Sequence, residues 1–517
     1  MNFIRIYTFL FFLCFLFVGL IIYKDYGVHC DEYHNQTFGH NWKVYVLDVL
    51  KNGFTNNVAL PHTEPYPMDW VHGSIIEVTL NLLKNILHIN DLQSILYFRH
   101  LSCFLFFYVG VYFFYVLCKI YFDHKIISLL GCIFLVLSPN IFSHAFYNTF
   151  DIPFLSLYII SFYTLLKWLK EPSWQNIIWH VVTCALLIDI RLIGLVMPFY
   201  TLLAFILRKN YKHDFFQFIS FSLLLLVFII VGWPLLWSNP IGHFLKIFSS
   251  TVNHSFTHTI LYAGKYYLGT ALPWHYGPVW LLIITPLTYC LFFLVGFFVS
   301  VRRIKSIPTL LILCSLFLPF LITQGKLYTG YRHIFFIYIP FLIVSLIGLS
   351  FIWNLMTIKF EETIRKWILG LFICSLIVSI VDIAFSMVHL HPYEYLYFNR
   401  LAGKNMKEIS SRFEMDYWGL AFRQALELIA KTDHDPTITV ATIQGWTLIK
   451  DNLNILSEKD KKRFKEAPIS EAKYILTNHL LHYTDYPLSK YASVKVENVD
   501  IVEIYQRNMF YFVSTLH

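Results

Sequence analysis

Long apolar runs separated by short polar breaks dominate the chain. A bilayer is crossed by about 20 mostly apolar residues. That length picks out eleven runs: 5–23, 98–121, 126–146, 151–169, 176–190, 192–208, 215–237, 278–301, 307–323, 333–356 and 367–388. Each is predicted to be a helix. The fifth and sixth are short and meet at Asp189, Ile190 and Arg191. The third runs through Leu137-Ser138-Pro139-Asn140, and Asp151-Ile152-Pro153 follows it. Two prolines so placed interrupt helix geometry. Polar Asn140, His144, Asn148 and Asp151 gather in the interruption. Polar backbone at that depth is tolerated beside protein or a water-filled cavity, which makes Asp151 a site candidate.

The first loop, 24–97, has structure of its own. Over 74–89, Ile75, Ile76, Val78, Leu82, Leu83, Ile86 and Leu87 recur at helical spacing. Such a helix either floors a site along the interface or packs on the bundle. Ahead of it, Pro61-His62-Thr63-Glu64-Pro65-Tyr66-Pro67 is turn-rich and cannot be helical. After residue 390 the pattern changes, with frequent charges and short alternating runs. A helix is predicted over 417–430 and strands over 437–443, 474–477, 492–496 and 501–506. The expected architecture is therefore mainly α. A polytopic helical bundle fills 1–390, including the loop 24–97, and a soluble α/β domain fills 391–517. Gly445 stands alone, so no glycine-rich phosphate loop marks that domain.

Composition fixes the solvent. Of 517 residues 57% are hydrophobic, 19% aromatic and only 14% charged, with mean hydropathy +0.56. Soluble domains carry about 25% charged residues, so the chain belongs in a bilayer. The net charge of +8 is not gathered on one amphipathic face, and nucleic acid is not expected as a partner. With the N-terminus in the cytoplasm, the inner loops collect Lys119, Lys125, Lys167, Lys170, Arg208, Lys209, Lys212, Arg302, Arg303, Lys305, Lys359, Arg365 and Lys366. That bias obeys the positive-inside rule. Outside then lie 24–97, the turn 147–150, the corner 189–191, the loops 238–277 and 324–332, and everything after about 389. Arg5 and the run after it resemble a signal peptide without a small-residue cleavage site, so the first run is taken as an uncleaved anchor. Eight of nine cysteines lie in apolar runs and only Cys30 in a loop, which leaves no disulfide framework or zinc spacing. The sequons at Asn35 and Asn253 both fall outside and carry little information.

The chemistry concentrates in Cys30-Asp31-Glu32-Tyr33-His34, just past the first run. Adjacent carboxylates where a span ends are costly unless water, a cation or a substrate meets them. Asp31 is read as a general base at a membrane-facing site, with Glu32 as its neighbour; an ordinary solvated acidic loop is the alternative. Asp189 and Arg191 either form an ion pair that makes a helix corner tolerable or leave Arg191 to hold a phosphate bidentately. The loop 324–333 holds Lys326, Arg332 and His333 against the inside bias, which points to an anionic ligand there or to a cap on the tenth run. His243, His254, His258 and His275 in 238–277 have no strong metal spacing and are expected to be solvated.

These features together suggest a family. An N-terminal span with Asp31-Glu32 at its outer end, then a long loop with an interfacial helix, resembles the C-type glycosyltransferases that use polyprenyl-phosphate sugars. The similarity is to the protein mannosyltransferase-like (family 39) and aminoarabinose-transferase-like members. The stretch from Leu137-Ser138-Pro139 to Phe150-Asp151-Ile152-Pro153 is similar to that family's third and fourth spans. Gly330-Tyr331-Arg332-His333 with Pro340 resembles a late span. His391-Pro392-Tyr393-Glu394-Tyr395-Leu396-Tyr397-Phe398-Asn399 and Phe413-Glu414-Met415-Asp416-Tyr417-Trp418-Gly419 resemble a bacterial subgroup of family-39-like membrane proteins. The resemblance implies inverting transfer of a hexosyl or pentosyl group from a lipid phosphate to a hydroxyl of a glycan, lipid or protein. The acceptor stands on the outer face of a bacterial inner membrane. Asp31 would take the acceptor proton. Arg332, Arg191, Lys326 and His333, with Asp151, would serve the phosphate. The transfer is metal-independent or metal-assisted, so a divalent cation is left open and no metal ligand is assigned. A transporter or lipid flippase routed past Asp151, Asp189 and Arg191 is the competing class. The lack of matching halves and the asymmetric loops speak against it. The third class is an assembly scaffold that displays the soluble tail.

Overall fold

The computed structural model describes residues 2–53, 60–61, 72–208, 211–253, 256–323, 327–443, 447–480 and 488–507. The turn-rich segment from His62, and also Lys326, His254 and Gly445, lie outside these residues.

Every apolar run is helical. Among the described residues six helices are long and apolar enough to cross a membrane, a bent pair makes a seventh, and four shorter apolar helices accompany them. The helices of the N-terminal half are α1 (Asn2–Ile22), α2 (Glu32–Asn52), α3 (Ile75–Ile86), α4 (Leu92–Phe122), α5 (Lys125–Val136), α6 (Pro139–Tyr147), α7 (Asp151–Lys170), α8 (Trp174–Ile190), α9 (Val196–Leu207), α10 (Tyr211–Gly232) and α11 (Pro240–Asn253). After a two-stranded ribbon come α12 (Tyr276–Ile283), α13 (Leu287–Arg302), α14 (Ile307–Ile322), α15 (Tyr338–Lys359) and α16 (Glu362–Leu390).

Proline explains where runs break. The pair α5–α6 bends by 67° at Leu137-Ser138, with Pro139 opening α6. A proline at the first turn lacks only an N–H that would be unpaired anyway. The bracketed stretch is thus a short helix rather than irregular backbone, and only Asn148, Thr149 and Phe150 separate it from α7. The expected run 278–301 is two helices, because Pro286 can neither donate to the preceding turn nor clear its carbonyl. Gly296 and Gly348 then let α13 and α15 touch backbone to backbone. A Cβ would meet Val344 O at 1.8 Å from the first and Phe292 O at 2.0 Å from the second.

Among the described residues before residue 390, two helices outside the apolar runs were not expected. The buried face of α2 includes Glu32, Asn35, Phe38, Trp42, Lys43, Tyr45 and Val49, a helical repeat with three polar members. α11 leaves Ile241, Leu245, Phe248 and Val252 exposed, as an interfacial helix does. α3 packs on the bundle through Ile76, Val78 and Leu80, while Leu82, Leu83, Ile86 and Leu87 remain exposed.

The C-terminal region carries a five-stranded sheet. The ribbon is β1 (Thr259–Tyr262) with β2 (Lys265–Leu268), and the sheet strands are β3 (Ile438–Thr442), β4 (Phe464–Glu466), β5 (Tyr474–Thr477), β6 (Ser489–Val496) and β7 (Val499–Gln506). Their order is β4-β3-β5-β7-β6, parallel across β4-β3-β5 and antiparallel beyond. This part grips the start of the first loop. Asn452 pairs with both backbone groups of Val28 at 2.9 Å, and the carbonyl of Trp418 accepts from Cys30 N at 3.2 Å. Residues 394–421 lie on the bundle: Asn399 donates to Leu282 O and Thr285 O, and Asn140 to Tyr395 O. The edge of the bundle at Asp31 is therefore covered by chain from the far end of the sequence.

Candidate active site

Asp31 sits at the N-cap of α2 yet makes no cap hydrogen bond through its side chain. A carboxylate suits the positive end of a helix, so the position favours the anion without tying it up. It lines a cavity of about 70 Å³ together with His34, Asn35, His72, Asn148, Arg191, Tyr328, Arg332, His333 and Trp418.

Glu32 goes the other way. It is 1% exposed and is not among the cavity's lining residues. One step along a helix turns a side chain by about 100°, and that turn carries Glu32 to Arg99 of α4. Arg99 Nε bonds Glu32 Oε1, and its two terminal nitrogens hold Glu77 of α3 at 2.7 and 2.9 Å. His29 Nε2 lies 3.0 Å from Glu32, and Thr149 donates to Glu77 at 2.8 Å. Burial alone would raise the Glu32 pKa, but the Arg99 charge and His29 prevail and hold it at about 2. Glu32 is thus a member of a closed ionic network, a role different from that of a second site carboxylate.

Asp151 opens α7 and lies 2% exposed behind the cavity. Asn148 fixes it twice, donating to its carboxylate and accepting its backbone N–H, both at 2.8 Å. Arg191 Nη2 meets Asp151 Oδ1 at 2.5 Å and Arg332 Nη1 meets Oδ2 at 3.5 Å. One carboxylate between two guanidiniums leaves this triad with one net positive charge. The corner pairing considered for Asp189 and Arg191 is not what the structure has. Asp189 instead accepts from Ile75 N at 3.1 Å and, through its carbonyl, from Gly73 N at 2.7 Å. A Cβ on Gly73 would lie 1.9 Å from that carbonyl, so only glycine permits the contact that brings His72 to the cavity.

Arg332 is held on several sides. Its Nε donates to Thr329 Oγ1 at 2.8 Å, and its guanidinium lies 5.0 Å from the Trp418 ring, 5.6 Å from Tyr417 and 5.7 Å from Tyr328. The His333 ring lies tilted against that of Tyr328, with centroids 4.4 Å apart. His72 is half-buried, and desolvation together with the Arg191 charge lowers its pKa to about 3, which keeps its ring neutral.

His72, Arg191, Tyr328 and His333 also line a second, larger cavity of about 530 Å³. Apart from Thr251 and Thr323, the rest of its wall is apolar, with Leu192, Leu195, Val196 and Phe199 at α9, Phe248 and Val252 of α11, and Leu318 and Ile322 of α14. An apolar trough thus ends on the Arg191 guanidinium and two imidazoles, and Asp31 lines the smaller cavity that shares them.

Comparison with known proteins agrees with this architecture. Residues 91–237 match the sequence family described as dolichyl-phosphate-mannose-protein mannosyltransferase. No curated protein sequence matches the chain. Among solved structures, the apo crystal structure of ArnT from Cupriavidus metallidurans matches at TM-score 0.50 and 9% identity, covering 95% of this chain and 97% of that one. The apo oligosaccharyltransferase of Archaeoglobus fulgidus also matches at 0.50, with 11% identity over 90% of this chain and 69% of that one. The chain has the C-type glycosyltransferase fold. In this glycosyltransferase fold the described residues hold no group of three or more His, Cys, Asp or Glu arranged for a metal ion.

Of the residues singled out in the sequence, Asp31, Arg191, Arg332 and His333 converge on one cavity and Asp151 braces it. Lys326 lies outside the described residues. His72, Tyr328 and Trp418 were not foreseen as site residues. Nothing local marks them, but Trp418 sits in the aromatic stretch 413–419 that carried the family resemblance, and that stretch was the available signal.

Proposed function

We propose that this protein transfers a sugar from a polyprenyl-phosphate donor to an acceptor hydroxyl. The observation that carries the reading is the joined pair of cavities: an apolar trough of about 530 Å³ that ends on Arg191, His72 and His333, and beyond them a polar space lined by Asp31 and Arg332. A long isoprenoid needs the first and a phosphate needs the guanidiniums. The family match over 91–237, described by a dolichyl-phosphate donor, supports the same substrate class.

In this reading the acceptor hydroxyl attacks the anomeric carbon while Asp31 takes its proton. The bond from that carbon to the phosphate oxygen breaks, and the phosphate leaves with the electron pair. The donor phosphodiester carries one negative charge and the departing monoester two. Arg191 and Arg332, preorganised by Asp151, meet the second charge as it develops. Asp31, both cavities and residues 391–517 then face the extracytoplasmic side of a bacterial inner membrane, and residues 1–390 form the membrane part.

The test is mass spectrometry of envelope glycolipids and glycoproteins from cells with and without the gene. A sugar lost from one acceptor class is expected. Identical profiles, or reporter fusions that place Asp31 in the cytosol, would sink the proposal.

A further inference from the structure

A third cavity adjoins the site and shares Arg332 and Trp418 with the space at Asp31. It holds about 60 Å³, room for roughly four to six waters at about 10–15 Å³ each, which is comparable with one sugar ring. Its walls are aromatic and come from distant parts of the chain: Tyr147 of α6, Trp280 of α12, and Tyr395, Tyr417 and Trp418 from beyond α16.

Polar atoms without protein partners belong to residues of this wall. Asn140 Oδ1, the Tyr331 hydroxyl and Trp418 Nε1 belong to lining residues and have no hydrogen bond among the described residues. Tyr331 is 1% and Trp418 5% exposed. Buried polar groups in proteins are nearly always paired, and orphans gathered around one cavity mark where a ligand's polar atoms belong. Glu414 lines the same cavity. Aromatic faces with a few polar groups at their edges match a ring that has C–H faces and hydroxyl rims.

The geometry points to this cavity as the seat of the donor's glycosyl ring, a neutral polyhydroxylated sugar, with Trp418, Tyr331, Asn140 and Glu414 as its hydroxyl partners. The assignment rests on the donor reading above. An acceptor must reach Asp31, which does not line this cavity, whereas a ring attached to phosphate on Arg332 has that guanidinium as a common wall. Burial raises the Glu414 pKa to about 8, so its carboxyl offers both a donor and an acceptor at neutral pH. Asp416 anchors the segment by accepting from Leu420 N and Ala421 N at 3.1 Å each and from the Tyr395 hydroxyl. The C-terminal region thereby builds part of the sugar subsite.

The experiment uses the full-length protein in nanodiscs, titrated calorimetrically with undecaprenyl phosphate and with its mannosyl and glucosyl esters. Tyr331→Phe keeps the ring and removes one hydroxyl, and Glu414→Met removes the carboxyl at similar volume. Wild type should bind at least one glycosyl form more tightly than the bare lipid phosphate. Each variant should lose roughly fivefold to tenfold for that form, with the bare lipid unchanged within about twofold. Equal weakening of both lipids, no weakening of either, or a wild type that gains nothing from any sugar overturns the assignment. Failure to bind even the bare lipid phosphate overturns the donor reading and this inference with it.

Discussion

Asp31 and Glu32 are neighbours in sequence and carry the same functional group, yet they enter opposite environments. Glu32 is enclosed with Arg99, Glu77 and His29, where each charge has a fixed partner. Asp31 stands at the rim of a cavity with Arg191 and Arg332 across from it. A second contrast runs in parallel. Arg99 is surrounded by carboxylates, whereas Arg191 and Arg332 share one, so only the latter pair keeps charge available to a ligand. A closed network contributes position, and an open one contributes chemistry.

The largest expected effect separates the two carboxylates. Asp31→Asn should lower transfer by about 10²–10⁴-fold, the usual worth of a general base, without loss of folded protein. Rates within a few-fold of wild type in a reconstituted transfer assay would retire Asp31 as the base. Next comes the closed network. Arg99→Met keeps volume but leaves Glu32 and Glu77 buried without their cation, and should cost about 3–5 kcal/mol of stability. Thermal unfolding in detergent checks it, and an unchanged midpoint would mean that the network is not what fixes α2 and α3 to α4. Arg332→Ala should cost about 10²–10³-fold in transfer, as removal of one preorganised charge stabiliser does, and should weaken donor binding more than acceptor binding. Equal loss for both substrates would assign Arg332 a folding role.

The same contrast shows what could be read from the sequence. All eleven apolar runs became helices because twenty apolar residues leave little alternative, and Pro139 announced its own break. Pro286 sat inside an apolar stretch and its break passed unnoticed. α2 was illegible because Glu32, Asn35 and Lys43 occupy its buried face, where partners elsewhere in the chain make polarity tolerable. The pair Asp31-Glu32 drew notice as a unit, but which member faces the cavity depends on the phase of α2 and on Arg99, sixty-odd residues away. Asp189 and Arg191 looked like partners by proximity, whereas tertiary structure gave Arg191 to Asp151 and Asp189 to the start of α3. Trp418 reaches the site from beyond the last long helix, a distance that no local pattern can bridge.

The smallest effect is the pH response that the closed network should show. The Glu32 pKa lies at about 2 against an ordinary 4.5, because Arg99 and His29 outweigh the penalty of burial. For a carboxylate with a depressed pKa, the folded state holds fewer protons than the unfolded state between those two values. Its stabilising contribution is therefore complete above pH 4.5 and drains away as pH falls toward 2. Glu32→Gln has no such charge to lose. The gap in unfolding midpoint between wild type and Glu32→Gln should accordingly be flat from pH 7 to 5 and narrow steadily below about pH 4.5. A gap that stays constant down to pH 3 would show that Glu32 holds α2 through shape and hydrogen bonding alone, and the division between a charged anchor and a charged site would have to be redrawn.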